Sequence, residues 1–458
     1  ITQLAGGVTV ASERLDHVRS AAIGWFIDVG SAHEPPGQGG YAHLLEHMLF
    51  RGTPSYSSEQ IDQRFDAIGG EINAGTGKDG TSVYVRVLDT HVEEAFRIGA
   101  EMVWQPLLTE ADTAQEREIV LEEIAMYEDD PQELVFDLAA VSVFGDGPLG
   151  RPVIGTRETV SAATPDRLRH FHERSYRRGR IVVAGAGAID HDELVTLTAS
   201  AVAGLPEPAL PNEGSSGAPA AVAPERSVAV VEKPTEQAHL VLSGPGLARD
   251  DERRFALRIL DAIVGGSSSS RLFQEIREKR ALAYAVYSFA SFHEHAGHVG
   301  AYVGTRPDRL GETAAVLKSE LDRLCSGGIG ADELDRGRES VKGRTILAME
   351  STSARMNRLG STLQAGMPLL SLDEITGRLD AVTADDLAEL ARLVLEHRGV
   401  RRTYRAPPRS RPPCVRPPTS FSGADRAAWR SSRCRRRRGR ARANGCQRQG
   451  PRRSPPGP

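Results

Sequence analysis

Residues 205–226, LPEPALPNEGSSGAPAAVAPER, interrupt the chain near its middle. A run this rich in Pro, Gly, Ser and Ala propagates neither a helix nor a sheet ladder. It reads as an exposed linker, and the segment on each side must then bury a core of its own. The 458-residue length agrees, since it is too long for one ordinary core.

Both sides mix strand and helix signals. On the first side, Val8–Ser12 and Ala21–Val29 read as strands, and Glu71–Thr76 with Thr81–Leu88 as a hairpin. Ser58–Ile68 places Ile61, Phe65 and Ile68 at helical spacing and stops at Gly69-Gly70. Further helices are expected at Ala42–Phe50, Val92–Gln105 and Asp112–Glu128, and a strand at Ile181–Ala184. Beyond the linker the style repeats. Strands are expected at Val228–Glu232, His239–Ser243, Tyr284–Phe292 and His298–Thr305. Helices are expected at Glu252–Val264, Leu272–Lys279, Glu312–Leu324, Ala331–Met349 and Ala384–Glu396. The expected fold is α+β, built from two homologous halves, residues 1–204 and 227–397. Each half is expected to be a mostly antiparallel sheet packed with helices.

The net charge of −4 conceals a split. Nineteen of the 57 basic residues, but only one of the 61 acids, lie in residues 398–458. The body is therefore strongly acidic and the tail strongly basic. The tail also carries ten prolines and lacks the spaced aliphatics of a core, so disorder is expected there. Its arginines could form a nucleic-acid-binding arm. A solvated or aberrant terminus, such as a shifted reading frame, is the preferred reading, and nucleic acid is not an expected partner. No run of about 18 apolar residues occurs, so no membrane span is expected. Three of the four cysteines, Cys414, Cys434 and Cys446, lie in the tail, and only Cys325 in the body. A disulfide framework is not what holds the body together. The opening Ile1-Thr-Gln-Leu shows no secretory signal.

The chemistry concentrates in His43-Leu44-Leu45-Glu46-His47. On a helix, at about 100° per residue, Glu46 and His47 fall within about 60° of His43. The leucines and Met48 face the other way. Two imidazoles one turn apart can share a Zn2+ ion in tetrahedral geometry. The carboxylate between them is placed to take a proton from an attacking water. This H-x-x-E-H order inverts the H-E-x-x-H arrangement. A third ligand is needed, and Glu116-Arg-Glu-Ile-Val-Leu-Glu-Glu-Ile offers candidates. Glu116 and Glu123, seven apart, share a helical face with Ile119, Val120 and Ile124, while Glu118 and Glu122 point about 120–160° away. Periodicity selects Glu116 or Glu123 and does not choose between them.

The stretches HLLEHMLFRGTPSYSSEQIDQRFDAIGGEINAGT and EREIVLEEIAMYEDDPQELV resemble the pitrilysin group of zinc peptidases. The likeness is closest to the mitochondrial processing peptidase branch and its bacterial relatives. It continues through SSRLFQEIREKRALAYAVYSF and ESTSARMNRLG and covers most of residues 1–397. The resemblance implies a zinc metalloendopeptidase with His43, His47 and Glu123 as ligands, Glu46 as general base and Glu116 as a supporting acid. It implies that Arg277 and Tyr284 reach toward the bound peptide and its scissile carbonyl. Asn73 and Ala74 would lie on an edge strand to which extended substrate adds by backbone pairing. It further implies a homodimer or heterodimer enclosing a chamber for unfolded peptides, in a bacterial cytoplasm or a mitochondrial matrix. A non-catalytic partner subunit is the rival, and the intact motif argues against it. The acidic body would favour basic peptides.

Other motifs are set aside. His293, His295 and His298 look like a metal cluster, but lie in a predicted strand and turn and are expected to be surface polar groups. Gly265-Gly266 followed by serines lacks the lysine of a phosphate-binding loop and reads as a hinge or chamber-lining loop. His170 and His172 are expected to be exposed on a helix.

Overall fold

The computed structural model describes residues 1–176, 178–205, 228–395 and the strand 403–405. The expectations of an exposed linker and of a disordered tail fall on residues outside these, apart from Leu205 and that strand.

In chain order the first half contains β1 (Thr2–Gln3), β2 (Thr9–Arg14), β3 (Ser20–Ile27), α1 (Tyr41–Leu49), α2 (Ser58–Ile68), β4 (Glu71–Thr76) and β5 (Thr81–Leu88). There follow α3 (Val92–Trp104), α4 (Glu110–Asp129), α5 (Pro131–Phe144), α6 (Arg157–Ser161), α7 (Pro165–Ser175), β6 (Ile181–Gly187) and α8 (His191–Val202). Its six strands form one sheet in the order β1-β2-β6-β3-β5-β4. All pairs are antiparallel except β2 with β6. β5 alternates as a half-buried strand should, with Val83, Val85 and Val87 turned to the core. α2 is capped at both ends: the Ser57 hydroxyl accepts from the Gln60 N–H, and Gly69 closes the helix at φ 61°.

The second half contains β7 (Val228–Val230), β8 (Ala238–Gly246), α9 (Arg254–Val264), a π-helical turn at Phe273–Glu278, β9 (Ala283–Phe292) and β10 (Gly297–Thr305). Helices α10 (Leu310–Cys325), α11 (Ala331–Ala348), α12 (Thr352–Gln364), α13 (Leu372–Asp380) and α14 (Ala384–Leu395) precede β11 (Thr403–Arg405). The order β8-β10-β9 repeats β3-β5-β4, and β7 pairs with β11 in parallel as β2 does with β6. The duplication is thus visible in topology. β11 thus places a short strand within the tail that was expected to be disordered. Thr403 and Tyr404 suit an extended backbone, and β7 offers them a partner.

One apolar core draws on residues between Val8 and Val202, the other on residues between Leu247 and Leu395. The two halves are nevertheless not separate bodies. α12, from the second half, lies across β3 and β6 of the first sheet, and α5, from the first half, lies on β8 and β10. β3 is buried on both faces as a result: Ala21, Ile23, Trp25 and Ile27 face one core, while Ala22 and Phe26 meet Met356 and Leu359 of α12. Glycines allow the close approach. A Cβ on Gly24 would lie 2.4 Å from Met356 Sδ, and one on Gly360 would lie 2.0 Å from the Phe26 ring. On α5, Phe136 stacks against Tyr302 and Tyr287 at centroid distances of 5.6 and 6.3 Å. α5 was absent from the sequence expectations, although Asp130-Pro131 marks its start: Asp130 Oδ1 accepts from Gln132 N–H at 2.7 Å.

Two expectations about histidines fail for the same reason. His172 is buried with Leu168, Phe171 and Ser175 on the inner face of α7, and its Nε2 lies 2.8 Å from Val103 O. His298 is 7% exposed on β10, against the rings of Phe144 and Phe289. The covering elements, α3 and α5, come from far away in the chain. His293 pairs with Asp79 at 2.9 Å, and His170 and His295 are exposed as expected.

Candidate metal centre

α1 buries Leu44, Leu45, Met48 and Leu49 and turns His43, Glu46 and His47 the other way, as the helical projection requires. α4 crosses α1 with Thr113, Glu116, Val120 and Ile124 on its buried side. Ile119 departs from expectation and is exposed, because at about −60° from Glu116 it falls outside that arc. Glu118 and Glu122 are exposed, as expected.

The two glutamates meet different atoms of the same ring. Glu123 Oε2 lies 3.6 Å from His47 Nε2 and 3.9 Å from His43 Nε2. Glu116, 2% exposed, holds His47 Nδ1 at 2.9 Å and is paired through its other oxygen with Arg51. The Nδ1–H thus donates to Glu116, which leaves the Nε2 lone pair turned to His43 and Glu123.

The spacing of these atoms suits an ion better than it suits hydrogen bonds. Nitrogen–oxygen gaps of 3.6 and 3.9 Å are too long for direct bonds. Two ligands held about 2.1 Å from a tetrahedral ion would be about 3.4 Å apart. One donor atom from each of His43, His47 and Glu123 lies within 4.8 Å of the others, the sole such group among the described residues. The donor set of two imidazoles and one carboxylate fits a divalent metal with an open position.

Local charges are consistent with that use. Burial, reinforced by the charge of His47, pushes the His43 imidazolium down to about 4, so His43 is neutral and able to ligate. Burial also pushes His47 down, but the Glu116 hydrogen bond and the charges of Glu123, Glu116 and Glu46 outweigh it, and the net direction is up. Burial raises Glu116, while His47 and Arg51 pull harder and hold it below the usual carboxylate range. Burial pushes Glu46 up, against Thr76 and the charge of His47, and Glu123 adds to the rise. One Glu46 oxygen, Oε2, is buried without a hydrogen-bond partner among the described residues. A carboxylate in that state is a stronger base than one in water.

β4 ends beside this centre and is the edge strand of its sheet. Gly77 N–H donates to Gly80 O at 2.8 Å, which sets the phase of the β4–β5 ladder. By alternation, the backbone groups of Ile72, Ala74 and Thr76 face the open edge. Ala74 N–H is taken there by Asn73 Oδ1 at 2.8 Å. In the second half, the Arg277 guanidinium lies between the rings of Phe273 and Tyr284, at 4.7 and 4.5 Å, and donates to Tyr284 O at 3.3 Å. Tyr284 is 76% exposed. No hydrogen bond or ion pair joins this couple to His43, Glu46, His47 or Glu123 among the described residues. Sequence reasoning missed Arg51 and Thr76. Arg51, one turn past His47, carried a signal in its spacing; Thr76 carried none, because only the sheet brings it to Glu46.

Residues 9–157 match a family model described as Insulinase (Peptidase family M16). Residues 162–341 match one described as Peptidase M16 inactive domain, in the region that lacks H-x-x-E-H. The chain is 42% identical over 400 residues to an uncharacterized zinc protease of Streptomyces coelicolor, covering 87% of each. It is 37% identical over 394 residues to one of Bacillus subtilis, covering 84% of this chain and 93% of that protein. Among solved structures, it resembles a peptidase M16 inactive domain from Pseudomonas fluorescens, with a TM-score of 0.79 and 24% identity, covering 86% of this chain and 94% of that one. A protease from Helicobacter pylori gives a TM-score of 0.78 at 21% identity, over 86% and 95% of the two chains.

Proposed function

The chain belongs to peptidase family M16, and from that premise we propose that it is a zinc-dependent endopeptidase acting on extended or unfolded peptides. The observation that carries the reading is the spacing of His43 Nε2, His47 Nε2 and a Glu123 oxygen, with Glu46 beside them on the same helix. The names of the relatives support zinc as the metal. Held by those three side chains, Zn2+ would supply Lewis-acid polarisation of the scissile carbonyl and make an attacking water more acidic.

The chain's own residues do the rest. Glu46, unpartnered at Oε2, takes the proton from the water and returns it to the leaving amine. Glu116 keeps the His47 Nε2 lone pair forward. A peptide pairs with the open edge of β4, and its carbonyl replaces Asn73 Oδ1 on the Ala74 N–H. Such pairing reads backbone rather than side chains, which suits varied peptides. Tyr284 and Arg277 donate to the bound peptide, the phenol toward a developing oxyanion. Two subunits close a chamber that excludes folded proteins. No helix among the described residues is long and apolar enough to cross a membrane.

The test is hydrolysis of a quenched, unstructured peptide by the zinc-loaded chain, with Glu46→Gln alongside. The variant should keep its zinc and lose about 100- to 10,000-fold in kcat. Retained cleavage would remove Glu46 as base. A native chain that binds no zinc and cleaves nothing would favour the partner-subunit reading.

A further inference from the structure

We propose that Glu34 is a positioning residue which seats the metal-binding helix α1 by anchoring its first turn; this rests on the metal reading above. The first backbone N–H groups of a helix have no partner within it. At α1 the N-cap is Gly40, which has no side chain to offer them. Glu34 reaches in from six residues upstream. Its Oε2 accepts from the Gly40 N–H at 3.0 Å and its Oε1 from the Ala42 N–H at 2.8 Å. Ala42 directly precedes His43. Both carboxylate oxygens are thus spent on the turn that carries the first metal ligand.

The anchor is itself held. Glu34 is 4% exposed, and its own carbonyl accepts from Arg151 Nη2 at 3.0 Å. Lys78 in turn binds the Arg151 carbonyl. Just upstream, Ser31 N–H and Ala32 N–H donate to Gly77 O and Lys78 O at 3.0 and 2.9 Å. Those residues form the turn that follows β4. The segment that carries Glu34 is therefore bonded at one end to the turn after the strand proposed to hold substrate and, through the carboxylate, to the start of α1 at the other.

The opposite side of the helix start is closed. Gly40 has φ 86°, and a Cβ there would lie 2.5 Å from Ile154 O. The first turn is gripped between Glu34 and the Ile154–Gly155 backbone and has little room to shift. Burial pushes the Glu34 carboxyl up to about 7, against the pull of the two N–H groups and of Arg151 and Lys78.

In Glu34→Gln, one oxygen still accepts, but the amide NH2 faces the other helix N–H. The full-length variant should fold, with α1 displaced relative to α4. We expect about tenfold weaker zinc binding in competition with a chelating dye. The visible spectrum of the cobalt(II)-loaded variant should differ, amide exchange at Gly40–His43 should be faster, and kcat should fall more than KM changes. Should the variant not fold, Glu34→Asp, which keeps the charge and one bond, carries the same readouts. A lowered Tm and faster amide exchange with unchanged zinc affinity and cobalt spectrum would overturn the proposal, because a purely structural cap would give that result. A native chain without zinc affinity would instead refute the metal reading, and the exchange data would still report on the anchor.

Discussion

Replacing Glu116 with Gln separates its role from that of Glu123. In the native chain the carboxylate accepts from His47 Nδ1–H at 2.9 Å and pairs with Arg51. Gln has the same shape but no charge, so His47 is free to turn over or change tautomer. A hydrogen bond to a charged partner contributes about 1.5–3 kcal/mol. Loss of a carboxylate that orients a metal-bound imidazole typically weakens binding about 10- to 100-fold, or about 1.4–2.8 kcal/mol. The two estimates agree. Arg51 is partly exposed and can find water, so the metal-free protein should lose only about 1–3 kcal/mol of stability. The assay is zinc competition with a chelating dye, with the Tm of the metal-free protein measured beside it. Glu123→Gln, which removes a ligand atom outright, should lose far more affinity. Equal losses in the two variants would make Glu116 a ligand and refute the assignment. Affinity within twofold of native in Glu116→Gln would show that the carboxylate orients nothing.

Two further outcomes follow from the packing. His298 is buried and its imidazolium is pushed down to about 4 by burial and the charges of His293 and Lys78, so the unfolded chain binds the extra proton between about pH 4 and 6.5. Stability is therefore lost as pH falls below about 6.5, by up to about 3 kcal/mol near pH 4. A Tm series from pH 7.5 to 4.5 should be flatter in His298→Leu, and parallel curves would refute the origin. Gly360→Ala would drive a Cβ into the Phe26 ring and should cost at least about 1–3 kcal/mol in urea unfolding; an unchanged midpoint would mean that α12 does not sit on the first sheet as described.

What was legible in the sequence was local. The bounds of α2, β4 and β5 match the expectation, because capping residues, the Gly69-Gly70 stop and two-residue alternation act within a few positions. The stripe of His43, Glu46 and His47 also follows from helix geometry alone. α5 was missed because its apolar residues spread around the helix and show no clear stripe. Ile119 was placed inward because the centre of the buried arc is set by the partner helix and not by α4 itself.

The sequence by itself determined an α+β duplication and one helical turn carrying two imidazoles and a carboxylate. Only the tertiary structure decided which glutamate faces Nε2 and which faces Nδ1, since that depends on the angle at which α4 crosses α1. It alone crossed α5 and α12 between the halves, and so buried both faces of β3 and His298 on β10. The first depends on residues 69 or more positions apart and the others on residues more than a hundred apart, which no local period encodes.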